Sequence, residues 1–115
     1  VTDAILGAAA MGDIGELFPD TDPQNKMRDS GEMLKTALAK VTGAGFRINN
    51  IDCIIFAQKP KLSPVKREIA KRIAEILEIA PDQVGVKAKT GEGVGTVGLH
   101  EVIMAECVVL MCKTV

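Results

Sequence analysis

Tryptophan and tyrosine are missing from this sequence, and three phenylalanines are its only aromatic residues. Proteins that grip single-stranded nucleic acid stack its bases on aromatic rings, so that class is excluded. Charge of one sign is missing too. Fourteen Lys and Arg face fifteen Asp and Glu, and a net charge of -1 draws the chain to neither nucleic acid nor an anionic membrane. No apolar run approaches the ~18 residues that span a bilayer, and no stretch reads as a secretory signal. The single histidine, His100, completes neither a metal site nor a base with its orienting partner. Cys53, Cys107 and Cys112 are odd in number and contain no C-x-x-C pair, which suggests neither a disulfide framework nor a thiolate zinc site. They read as buried, reduced thiols of a reducing compartment.

What is present describes one small α/β (α+β) domain over residues 1–115. The small residues of 2–11 predict a helix that Asp3 caps and Gly12 ends. The chain begins with Val in what reads as a helix already under way, and an N-terminal piece is expected to precede it. Asp29 and Ser30 offer N-cap oxygens with Glu32 at capping-box spacing, ahead of the helical pattern Met33, Leu34, Ala37, Leu38 and Val41. Gly43 and Gly45 stop that helix. Residues 48–58 form a nearly continuous apolar run and predict a buried strand. A second amphipathic helix is expected from Ser63 as N-cap and Pro64 as N1, with Ile69, Ile73, Ile76 and Leu77 inward and Glu68 paired to Arg72 outside. Val84, Val86 and Ala88 alternate as a strand does. Val108 and Val109 favour strand for the tail.

Three loops carry the candidate chemistry. "GDIGELFPDTDP", residues 12–23, crowds Asp13, Glu16, Asp20 and Asp22 around Leu17 and Phe18. Its acids do not match the spacing of a calcium loop. They read either as caps and turn formers or as acceptors for sugar hydroxyls. "AQKPKLSP" sets Lys59 and Lys61 beside proline-fixed backbone, as a solvated loop or as a grip on a nucleotide. "KAKTGEGVGTVG", residues 87–98, is neither a P-loop nor a dinucleotide fingerprint. Its glycines suit a flexible connection or an anion-binding nest, with Thr90 and the lysines beside it.

Together "TDAILGAA", "GDIGELFPDTDP", "AQKPKLSP" and "VKAKTGEGVG", in this order and spacing, resemble the 2-C-methyl-D-erythritol 2,4-cyclodiphosphate synthase family across essentially all 115 residues. The resemblance implies isoprenoid-precursor synthesis by the methylerythritol phosphate (MEP) pathway. In that reaction the 2-phosphate of 4-diphosphocytidyl-2-C-methyl-D-erythritol 2-phosphate attacks the phosphorus next to the methylerythritol and CMP leaves. It further implies a mixed sheet with helices on one face, a homotrimer with active sites between subunits, and a bacterial cytoplasm, with a plastid-type organelle as the alternative.

Residue by residue, the resemblance gives Asp13 the ribose hydroxyls, with Ile14 and Gly15 as the same wall. Phe18, Pro19, Asp20, Thr21 and Asp22 flank the methylerythritol phosphate. Ala57, Lys61, Leu62 and Ser63 hold the cytosine and its phosphates, and Lys89 adds charge there. Thr90 steadies the pentavalent phosphorus, and Glu92 helps place Mg or Mn between phosphates. Phosphoryl transfer asks a protein mainly for in-line positioning and charge neutralisation, so the lack of a Ser or Cys triad is no objection.

Two departures accompany the match. The zinc ligands of the family, an Asp-x-His pair and a third His, have no counterpart in this chain and are expected upstream of Val1. Thr96 and Leu99 stand where the family commonly has Phe and Arg in a central channel that holds a prenyl diphosphate. A non-catalytic, nucleotide-binding trimeric relative without zinc is the rival reading, and a generic phosphate-binding domain is a third.

Overall fold

A strand of eleven residues, β1 (Phe46–Phe56), organises the rest of the chain in the computed structural model, which describes residues 1–114. It pairs in parallel with β2 (Val84–Lys89) and antiparallel with β3 (Met104–Lys113), giving the order β2-β1-β3. A parallel pair needs a crossover, and α4 (Lys66–Leu77) supplies it. The sheet is mixed and the class α+β, as expected. β1 starts and stops two residues earlier than the apolar run predicts.

β1 is not buried on both faces. Ile48, Ile51 and Cys53 are buried, while Asp52 is exposed. Ile48 and Ile51 lie three residues apart, which strict alternation would send to opposite faces. A register shift between Ile48 and Asn50 resolves this: Asn49 is the extra residue, and the strand changes parity there. The Asn49 carbonyl accepts from Gln83 Nε2 at 2.8 Å. Cys107, Val109 and Met111 of β3 join the covered face. Val108 and Leu110, 72% and 58% exposed, lie on the open one.

Three helices cover the first face. α1 (Thr2–Ala8) contributes Ile5 and Leu6, α3 (Ser30–Gly43) contributes Leu34, Ala37 and Val41, and α4 contributes Ile76 and Leu77. Of the apolar positions predicted for α3 and α4, Leu34, Ala37, Val41, Ile76 and Leu77 are buried in the core. Leu38 and Ile73 pack partly against it, while Met33 and Ile69 are only partly covered and lie outside it. At the start of α3, Asp29 is the N-cap and accepts from Glu32 N–H at 3.0 Å. None of the described helices is long and apolar enough to cross a membrane.

Helix ends account for most corrections. α1 stops at Ala8, short of Gly12. Met11 N–H reaches the Leu6 carbonyl and Ala10 N–H reaches Gly7, a Schellman ending with Ala10 at φ 55. Alanine in the left-handed region costs about 1 kcal/mol relative to glycine. Asp3 does not cap α1. Its Oδ1 instead accepts from Ile14 N–H at 2.7 Å and ties α1 to the loop beyond. Ser63 and Pro64 form a 3₁₀ turn, Ser63–Val65, and α4 begins at Lys66. Arg72 pairs with Glu75 at 3.6 Å rather than with Glu68. Both partners are more than half exposed, so the pair adds little stability. Of the cysteines only Cys53 is buried; Cys107 and Cys112 are half-buried.

Candidate active site

Two loops leave the same end of the sheet. β1 and β2 are parallel and in register to Phe56↔Lys89, and Ala57 N–H continues the ladder to the Lys89 carbonyl at 2.9 Å. Beyond the carboxyl ends of parallel strands is where open α/β sheets take their ligands. There a cavity of about 400 Å³ is lined by the whole run Ala57–Ser63 and by Ala88, Lys89 and Thr90. The predicted residues Ala57, Lys61, Leu62, Ser63, Lys89 and Thr90 therefore share one cavity, with Lys59 beside them. Its polar lining consists of three lysines, two hydroxyls, the Gln58 carboxamide and backbone, a donor set suited to phosphate. The Lys59–Pro60 peptide bond in this loop is cis.

The glycine segment after β2 is a compact turn, not a flexible connection. Gly98 is buried, and a Cβ placed on it would lie 2.5 Å from the Gly93 carbonyl carbon. A Cβ on Gly91 would meet the backbone of Gly98. Only glycine allows these strands of backbone to touch. α5 (Gly95–Gly98) is the short helix that results. Glu92 N–H donates to Thr90 Oγ1 at 3.2 Å, which uses a lone pair of the hydroxyl and leaves its proton for another acceptor.

Gln58 was not singled out by the sequence. Its Oε1 accepts from Gly91 N–H at 3.1 Å and joins the lysine loop to the Thr90 turn. An uncharged residue between Ala57 and Lys59 carries no signal without knowledge that β1 and β2 end side by side.

The acidic loop builds a second cavity of about 430 Å³, lined by Ile14, Gly15, Phe18, Asp20, Asn25 and Met33. Here the capping reading holds for two acids. Asp13 is the N-cap of α2 (Ile14–Leu17), accepting from Glu16 N–H at 2.9 Å while Glu16 Oε2 accepts from Asp13 N–H at 3.2 Å. Asp22 accepts from Gln24 N–H at 3.0 Å. Asn25 Nδ2 donates to the Pro19 carbonyl at 2.8 Å, and Arg28 Nη1 donates to Asn25 Oδ1 at 3.1 Å. The Arg28 guanidinium lies over the Phe18 ring, 4.7 Å from its centroid, which keeps Phe18 buried inside an otherwise exposed loop. Arg28 is the other residue the sequence did not reveal. It stacks a cation against a loop that reads as purely acidic.

Asp13, Pro19, Thr21 and Asp22 stand on the same loop without lining this cavity, and Glu92 does not line the lysine cavity. The two cavities share no residue. Among the described residues no group of three or more His, Cys, Asp and Glu is placed to hold a metal ion. A zinc site needs three or four protein ligands, so these residues do not fit zinc. Magnesium needs less. One or two carboxylates with substrate phosphates suffice, and exposed Glu92 beside the lysine cavity fits that donor set.

A model of the YgbB family matches residues 1–112. The 2-C-methyl-D-erythritol 2,4-cyclodiphosphate synthase of Rhodopirellula baltica is 49% identical over 113 residues, covering 98% of this chain and 68% of that protein. Among solved structures, the bifunctional IspDF of Campylobacter jejuni superposes with a TM-score of 0.93 at 44% identity, over 97% of this chain and 30% of that one. The CDP complex of IspF from Plasmodium falciparum superposes with a TM-score of 0.86 at 33% identity, over 98% and 67%.

Proposed function

This chain belongs to the YgbB family, and from that premise we propose how its two loop systems carry out the cyclodiphosphate synthase reaction. The reaction is that of isoprenoid precursor synthesis by the MEP pathway: 4-diphosphocytidyl-2-C-methyl-D-erythritol 2-phosphate closes to the 2,4-cyclodiphosphate and releases CMP. The protein is thus a phosphorus–oxygen lyase. The observation that carries the assignment of parts is the lysine cavity, where residues 57–63 and Thr90 converge at the ends of β1 and β2.

In this reading the lysine loop holds the cytidine diphosphate portion. Backbone groups of Ala57–Ser63 meet the cytosine, and Lys59, Lys61 and Lys89 offset phosphate charge. Asp13 accepts from the ribose hydroxyls, and Ile14 and Gly15 flank the sugar. The loop Phe18–Asp22 lies along the methylerythritol phosphate, with Asp20 and Arg28 nearest it. Thr90 donates its hydroxyl proton to an oxygen of the phosphorus under attack, where charge grows in the transition state. Glu92, with substrate phosphates, would hold Mg or Mn, which when bound neutralises phosphate charge.

In the proposed assembly a complete site takes the acidic-loop cavity from one subunit and the lysine cavity from another. The open sheet face supports such an assembly. Val108 and Leu110 of β3 are exposed apolar residues on that face, and Val94, Leu99 and Ile103 are exposed apolar residues flanking α5 and β3. A homotrimer with three shared sites is the proposed state, in a bacterial cytoplasm.

Calorimetry of the full-length protein with CDP, paired with CMP release from the substrate with and without a chelator, tests the reading. Tight CDP binding with chelator-sensitive CMP release supports it. CDP binding without CMP release points to the non-catalytic relative, and no CDP binding refutes the cytidine assignment. Gln58→Leu strands the partly buried Gly91 N–H and loosens the Thr90 turn. Steady-state kinetics should show kcat/KM lowered about 10-fold, as for one lost hydrogen bond at a partly buried site.

A further inference from the structure

Cys53 and Cys107 are 54 residues apart in the chain and stand directly opposite each other in the β1–β3 register. Their sulfurs are 3.5 Å apart, with the Cys53 thiol donating to Cys107. Both point to the helix-covered face, beside a cavity of about 400 Å³ between α1, α4 and the sheet that Asp3, Ile69, Ile73 and Glu106 also line. Cys53 is 5% exposed and Cys107 is half-buried, so Cys107 is the more accessible of the two thiols. Cys112 lies five residues further along β3, an odd number, and so belongs to the opposite face.

We propose that Cys53 and Cys107 are a reversible modification site, closed to a cross-strand disulfide by low-molecular-weight disulfides such as oxidised glutathione. Directly opposed residues of antiparallel strands have Cα atoms about 4.5–5.5 Å apart, inside the roughly 4.4–6.8 Å that a disulfide spans. The chain can therefore close the bond with little backbone movement.

The chemistry balances as two exchanges. The Cys107 thiolate attacks one sulfur of the small disulfide, forming a mixed disulfide and expelling one small thiolate. Cys53 then gives up its proton to solvent and attacks the Cys107 sulfur, expelling the second small thiolate. Two protein thiols are oxidised and one small disulfide is reduced to two thiols. The hydrogen bond from Cys53 favours the Cys107 thiolate and lowers its pKa, against the effect of burial. The same bond, together with burial, holds the proton on Cys53. The division of roles follows: Cys107 begins the exchange and Cys53 resolves it.

The test incubates the folded, full-length protein in glutathione buffers of rising oxidised fraction, alkylates it under denaturing conditions, and maps it by mass. The residues 53, 107 and 112 are followed individually. Expected is the joint loss of free thiol at Cys53 and Cys107, a linked peptide pair containing both, retention of Cys112, and recovery with dithiothreitol. Cys53→Ser should trap a glutathione mixed disulfide at Cys107, and Cys112→Ser should leave the pair unchanged. Persistence of free Cys53 and Cys107 in the most oxidising buffer would overturn the proposal. So would a stable mixed disulfide at Cys107 in the unsubstituted protein, or a link that runs through Cys112.

Discussion

Thr90→Val is expected to lower kcat about 100-fold, the scale set by removing one donor aimed at charge that develops in a transition state. Valine keeps the shape of threonine, so the lysine cavity retains its wall. What disappears is the hydroxyl, which accepts from Glu92 N–H and has a proton left to give. The orphaned Glu92 N–H is exposed and exchanges its partner for water at small cost. Calorimetric CDP affinity should therefore change by no more than about 3-fold, because loss confined to the transition state moves kcat and not ground-state binding. Thr90→Ser, which retains donor and acceptor, should keep most of the rate. Single-turnover kinetics of the three proteins decide the matter. A valine variant that turns over like the parent removes Thr90 from the mechanism.

Asp13 is expected to show two separable effects, since one side chain serves both a helix and a ligand in the proposed site. Its Oδ1 caps α2 through Glu16 N–H. Asp13→Ala removes cap and carboxylate together, whereas Asp13→Ser keeps a capping oxygen on a shorter arm. Both variants should weaken CDP about 30-fold, the cost of charge-assisted hydrogen bonds lost to a ribose. Only the alanine variant should also lose about 1 kcal/mol of stability, the usual worth of an N-cap. Calorimetry with CDP and denaturant unfolding separate the two. Affinity lost by alanine alone would mean that Asp13 acts through the cap; affinity kept by both would refute its contact with ribose.

The parts of the fold that announced themselves were those with local causes. Leu34, Ala37 and Val41 repeat at helical spacing, and Val84, Val86 and Ala88 alternate, so α3 and β2 were legible before any tertiary contact was known. The ends of elements were not. Gly12 looked like the stop of α1, but the chain turns at Ala10 because Leu6 and Gly7 offer their carbonyls there. The one-sided burial of β1 was hidden by Ile51, Ile54, Ile55 and Phe56, an apolar run whose outer members sit on the open face or near the strand end. Nothing local marks Asn49 as a bulge; the need to bury Ile48 and Ile51 together decides it.

The site divides in the same way. The lysine loop and Thr90 were readable as motifs, and the parallel register of β1 with β2 explains why they converge. The family resemblance, not the residues alone, gave Asp13 a ligand, since its spacing to Glu16 speaks first for a capping box. Gln58 and Arg28 carry no local signal, because their partners, Gly91 and Phe18, become neighbours only through the fold. Cys53 and Cys107 read as separate core thiols until the antiparallel register put them face to face.

The separation of the two cavities has a genetic consequence. If each site draws its acidic loop from one chain and its lysine cavity from another, a chain disabled at Asp13 and a chain disabled at Thr90 are inactive for different reasons. Assembled together by co-expression or by refolding from a mixture, they should regain CMP release, because a mixed trimer contains a junction where an intact acidic loop meets an intact lysine cavity. Activity in the mixture that exceeds the sum of the two parents is the signature of complementation between alleles. A mixture no more active than its parents, with mixed trimers shown to have formed, would place both residues in one protomer's own site.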